Sequence, residues 1–160
     1  MTKAEAPESP EPGQGQLKID LWVDRGDGGI YLNGDLLHIY FHANQDCYLR
    51  LLYRDASGNN FQIFPNQYDE YNRITAGKTY TIPDETDNFD FEIQAPFGAE
   101  LITAFACTEP FGQAGMRNQG IITLPGKTSE IWDNFRGMIV KKREAKSAEA
   151  ACVITTVPSK

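Results

Sequence analysis

The sequence predicts an all-β fold, an antiparallel β-sandwich of the immunoglobulin-like kind with one short C-terminal helix. Three observations carry the prediction. Apolar and polar residues alternate with a period of two in short runs between Leu17 and Thr108, clusters of turn formers separate those runs, and a helical spacing arises only after residue 128.

Residues 1–16 hold three prolines and no aliphatic side chain beyond Met1 and two alanines, which reads as a disordered linker before a single domain over 17–160. Leu17, Ile19, Leu21 and Val23 then alternate with Lys18, Asp20 and Trp22, the pattern of a half-buried strand. Asp24-Arg25-Gly26-Asp27-Gly28-Gly29 ends it. Ile30-Tyr31-Leu32 meets Asn33-Gly34-Asp35, and an Asn-Gly pair tolerates the positive φ angles of a tight hairpin, so residues 36–43 are expected to return beside it. A second hairpin is expected from 47–54 and 61–64, joined through Asp55-Ala56-Ser57-Gly58-Asn59-Asn60. Runs at 79–82, 89–95 (Phe89, Phe91, Ile93 and Ala95 on one face) and 100–108 bring the total to about seven strands.

The last third changes character. Residues 110–125 are rich in glycine and amides and read as a long surface loop. Thr128 or Ser129 can cap a helix over 129–136, where Glu130 and Asp133 suit the positive end of the dipole and Ile131, Trp132 and Phe135 form an apolar stripe. Residues 151–157 read as a closing strand.

Charge narrows the partners. The net charge is −7, which repels phosphate backbones and anionic lipid surfaces, so nucleic acid is not an expected partner. Residues 1–100 hold 7 basic and 17 acidic side chains, net −10, and residues 101–160 hold 8 and 5, net +3. The basic run Lys141-Lys142-Arg143 with Lys146 reads as a solvated face. No stretch approaches the roughly 20 apolar residues of a membrane helix, so direct membrane insertion is not expected. The start lacks the basic-then-apolar pattern of a secretory signal, and its Pro/Glu-rich composition favours a domain cut from a longer chain.

Several motifs fail on spacing. Gly126-Lys127-Thr128 resembles the end of a phosphate-binding loop, but the position for its first glycine holds Ile121 and Pro125 removes a backbone donor. His38 and His42 are four residues apart on one strand, about 13 Å, too far to share a metal. Cys47, Cys107 and Cys152 have no C-x-x-C spacing and read as buried small hydrophobes. The acidic group Asp84, Glu85, Asp87 and Asp90 does not match a calcium-loop spacing and reads as a solvated turn. No metal or cofactor is expected.

The binding surface is expected in the loop over residues 65–78, which carries Asn66, Tyr68, Tyr71, Asn72 and Arg73 with Gln67: flat amphipathic rings beside adaptable hydrogen-bonding groups. The competing reading is that the two tyrosines cover an open end of the sandwich.

Val23-Asp24-Arg25-Gly26, Tyr31-Leu32-Asn33-Gly34-Asp35, Cys47-Tyr48-Leu49, Phe64-Pro65-Asn66, Ala76-Gly77, Ile82-Pro83 and Gly98-Ala99-Glu100 follow one another in an order that resembles the bacterial family called domain of unknown function 4384, over about residues 17–110. The resemblance implies a non-catalytic module attached to other domains in envelope proteins, lipoproteins, caspase-like peptidases or kinases, with no catalytic residues to carry over. The expected function is therefore an accessory binding or interaction module of a larger bacterial cell-envelope or signalling protein, placed in the envelope or periplasm in preference to the cytoplasm. Its ligand, whether protein, glycan or small molecule, is left open, and a fused or associated enzyme domain is the implied companion. The alternative is a small hydrolase using loop carboxylates or a Cys47–His42 pair.

Overall fold

A computed structural model describes residues 15–66, 68, 70–110, 122–124 and 145–159. Among these the chain forms the strands β1 (Ile19–Val23), β2 (Gly29–Leu32), β3 (Leu36–Leu37), β4 (Ile39–Ala43), β5 (Cys47–Arg54), β6 (Asn60–Phe64), β7 (Arg73–Ile74), β8 (Thr79–Ile82), β9 (Phe91–Glu92), β10 (Ala99–Cys107), β11 (Ile122–Leu124) and β12 (Ser147–Val157). No helix occurs among the described residues, and the helix predicted over 129–136 lies outside them.

Three strands form one antiparallel sheet in the order β1-β4-β8. A larger sheet runs β11-β6-β5-β10-β12-β2, with β7 also paired to β5. β3 and β9 make a two-stranded ribbon. Period-two alternation decides which side chains meet: Ile19, Val23, Ile39 and Phe41 from the small sheet join Leu49, Leu51, Ile102, Ala104 and Ile154 from the large one in a single buried cluster. Across that core the rings of Phe41 and Phe64 lie 5.7 Å apart.

The expected hairpin at 47–64 forms, with a register shift between Leu51 and Leu52. The expected strand over 100–108 forms as β10, and the closing strand forms as the longer β12.

The first hairpin is corrected. Gly34 adopts φ 93°, and the amide of Asp35 donates to the carbonyl of Leu32, but among the described residues only glycines take a positive φ. Asn33 therefore does not supply the second positive φ of a type I′ turn, the geometry that would fold β2 back on its successor. β2 instead pairs in parallel with β12, far along the chain. The expected strand over 36–43 is divided at His38, where the Asp24 carboxylate accepts from the His38 amide, so β3 joins β9 while β4 joins β1 and β8. The run 89–95 keeps only two strand residues, because Ile93 turns its amide to the carbonyl of Asp35 and its carbonyl to the amide of Gly34. The stretch read as a loop over 110–125 contains a short edge strand, β11, beside β6.

The motif residues around β2 turn out to be joinery. Tyr31, buried between the sheets, donates from its hydroxyl to Asp24 Oδ1 (2.8 Å) and accepts from the amide of Arg25 (3.2 Å). Burial, reinforced by Asp24, pushes the phenol well above its usual range. The Arg25 guanidinium lies 4.6 Å from the Tyr31 ring centre and donates to Asp35 Oδ2 (2.8 Å) and to the Ile30 carbonyl. The same Asp35 oxygen accepts from the Leu32 amide, and that bond, with Arg25 second, holds the carboxyl below the usual range. Since β2 ends the large sheet, these contacts occupy edge groups that a foreign strand could otherwise pair with.

Candidate functional site

The five residues expected to bind divide into two that are buried and three that are exposed. Asn66 is buried, donating to the Ile63 carbonyl and accepting from the Tyr68 amide. Asn72 is buried and donates to the Leu49 carbonyl. These two amides shape the backbone. Arg73 lies over the Tyr48 ring and pairs with Asp46 at 3.6 Å. Tyr71 is 73% exposed. Tyr68 is 58% exposed and stacks on Phe89, with centroids 5.7 Å apart.

Tyr68 thus stacks on a ring that lines a cleft, although it does not line the cleft itself. Phe89 meets Phe91 edge to face at 5.4 Å, making a ladder Tyr68–Phe89–Phe91. On one side of it is a recess of about 440 Å³, floored by Tyr53, Phe61 and Ile63 of the β5–β6 hairpin and walled by Leu37, Phe91 and Ile93. Asp90, Glu92 and Gln94 stand around it. On the other side is a lobe of about 540 Å³ lined by His38, Thr81, Pro83, Asp84, Glu85, Asp87, Phe89 and Asp90. Asp90 belongs to both.

The recess exists because β3 pairs with β9 rather than continuing into β4, which draws Leu37 and Phe91 over the hairpin face without closing on it. In the acidic lobe two carboxylates are already occupied. Asp84 Oδ1 accepts from the hydroxyl and amide of Thr86 and from the Asp87 amide, and Asp87 Oδ2 accepts from the Asp84 amide. The Thr86 hydroxyl contributes most to holding the Asp84 carboxyl below the usual range. Glu85, Asp90 and Glu92 face solvent and form no ion pair among the described residues.

Behind the recess, Tyr53 donates its hydroxyl to Glu100, a carboxylate only 2% exposed that also accepts from Thr156 Oγ1 at 3.0 Å. Burial raises the Glu100 carboxyl and the Thr156 bond opposes it. The thiols are buried; burial, then Asp46, pushes Cys47 up to about 12, and burial pushes Cys152 up to about 11. Cys47 sits in the core, whereas His42 points from the small sheet toward Asp20, 3.4 Å away, so the two do not meet. No group of three or more His, Cys, Asp or Glu side chains among the described residues is placed to hold a metal ion. The signal for the cleft was present in the sequence as five carboxylates interleaved with Phe89 and Phe91 over residues 84–92, although Leu37, Tyr53 and Phe61 carry no such mark.

The described residues thus form an all-β scaffold that carries an open, largely apolar recess beside the β5–β6 hairpin. The family described as Domain of unknown function (DUF4384) matches residues 30–110, half of the chain, and the protein belongs to that family. The matched span holds Tyr31, Asp35, Phe64-Pro65-Asn66, Ile82-Pro83 and the Phe89–Phe91 ladder, while Asp24 and Arg25 precede it. No curated protein and no solved structure shows a significant match.

Proposed function

We propose that this chain is a non-catalytic binding module of a larger bacterial cell-envelope or signalling protein, built on an immunoglobulin-like β-sandwich, and that it receives its partner in the cleft around Phe89, Asp90 and Phe91. The observation that carries the reading is that an apolar recess and an acidic lobe lie next to each other, with Asp90 lining both. Such a pairing of desolvatable surface with a polar rim is the anatomy of recognition sites. The sandwich reading is supported by the core that the small and large sheets share. The non-catalytic reading is supported by the burial and high pKa of the Cys47 thiol and by the solvent exposure of Asp90 and Glu92, which leaves their carboxylates in water.

Site-specific photocross-linking in the source cells tests this. A benzoylphenylalanine at Glu92 or at Tyr68 should give a discrete adduct with one partner, and the same group at Ser147, exposed on β12, should give none. Equal labelling at Ser147, or none at the cleft, would overturn the reading.

A further inference from the structure

The chemistry of the cleft specifies more than the presence of a partner. Resting on the binding role above, we infer that the cleft takes an extended peptide segment that sets a bulky apolar side chain into the recess and a neighbouring Arg or Lys of the same segment into the acidic lobe.

The apolar half follows from the walls. Leu37, Tyr53, Phe61, Ile63, Phe91 and Ile93 enclose about 440 Å³, room for a Leu, Met or aromatic side chain to leave water. The cationic half follows from charge complementarity. Among the described residues neither lobe is lined by a lysine or an arginine, while the exposed carboxylates of Glu85 and Asp90 line the acidic lobe and those of Asp90 and Glu92 the recess, with no ion pair. Asp84 and Asp87 are held by their own turn, so the acceptors left for a guest cation are Glu85 and Asp90. The common wall brings the two halves within one peptide: Phe89 lines one lobe, Phe91 the other and Asp90 both, so a single extended stretch reaches the two. Tyr68, stacked on Phe89, extends the aromatic wall beside it.

The probes are fluorescein-labelled nonapeptides of Gly and Ser that carry one Leu and, two, three or four residues on, one Arg, each titrated by anisotropy with the full chain at low salt; the tightest of the three is the parent peptide. Replacing the Leu by Ser should weaken binding by about tenfold or more. Replacing the Arg by Gln should weaken it by about three- to fivefold, since the pair is solvent-exposed. The double change Glu85→Gln and Asp90→Asn, at two exposed positions, should cause a similar loss with the Arg peptide and little further loss with the Gln peptide. Absence of saturable binding by the parent peptide up to millimolar concentration, equal affinity for Arg and Gln peptides, or equal affinity of the Glu85/Asp90 variant would each overturn the inference. If adducts still form at Glu92 while these peptides fail, the peptide chemistry is wrong and the binding role stands; if both fail, both fall.

Discussion

Removing one oxygen atom, by Tyr31→Phe, probes whether the motif residues around β2 are scaffold. The ring stays and no cavity opens, so the change isolates two hydrogen bonds: the hydroxyl to Asp24 Oδ1 at 2.8 Å and the Arg25 amide to the hydroxyl at 3.2 Å. A hydrogen bond to a charged acceptor contributes about 1.5–3 kcal/mol and a neutral one about 1, and the Asp24 carboxylate retains the His38 amide at 3.3 Å, so the expected loss is about 2–3 kcal/mol. For a chain of this size that corresponds to a fall in Tm of about 4–12 °C. Urea unfolding followed by far-ultraviolet circular dichroism measures it, with the m-value unchanged. Asp24→Asn and the double variant complete a cycle whose coupling should be about 1–2 kcal/mol. A loss below about 0.5 kcal/mol, or strict additivity, would show that the motif is not a structural lock.

The remaining predictions address the site and its surroundings. The double change Tyr68→Ala and Tyr71→Ala should leave the fold intact and cost about 1 kcal/mol, the value of the single Tyr68–Phe89 stack, and a loss of several kcal/mol would restore the reading that both rings cover the core. Because burial holds the Glu100 carboxyl above the ordinary range, the native state keeps its proton where the unfolded chain has released it, and stability falls as pH rises through that window. The stability of Glu100→Gln relative to the wild type should accordingly grow as pH rises above the ordinary carboxylate range of about 4, and a flat or declining difference measured by urea titration would refute the assignment. Cys47, Cys107 and Cys152 are all buried, so an aromatic disulfide reagent should modify none of them in the folded protein and all three in concentrated guanidinium; one fast thiol under native conditions would contradict this.

Much of the local structure was legible in residues alone. The alternation from Leu17 to Val23 marked β1 and put Trp22 on the solvent side, and Asp55-Ala56-Ser57-Gly58-Asn59-Asn60 marked the turn between β5 and β6, because side-chain period and turn chemistry are properties of neighbours in the chain. The burial of the three cysteines was legible for the same reason. Pairing was not. Whether β2 lies against its successor or against β12 depends on hydrogen bonds between residues more than a hundred positions apart, and no local pattern records them. Asn66 and Asn72 illustrate the limit at the site: their side chains look like recognition groups in the sequence, yet the Ile63 and Leu49 carbonyls claim them once the loop closes. The cleft is the extreme case. Asp84 to Glu92 announced charge and aromatics, but the recess arises only when β3 and β9 draw Leu37 and Phe91 over Tyr53 and Phe61, four stretches that are strangers in sequence. Sequence by itself set which residues leave water and which turns the backbone can make; the tertiary structure decided which buried faces meet and where they fail to close, because that balance is struck over the whole core.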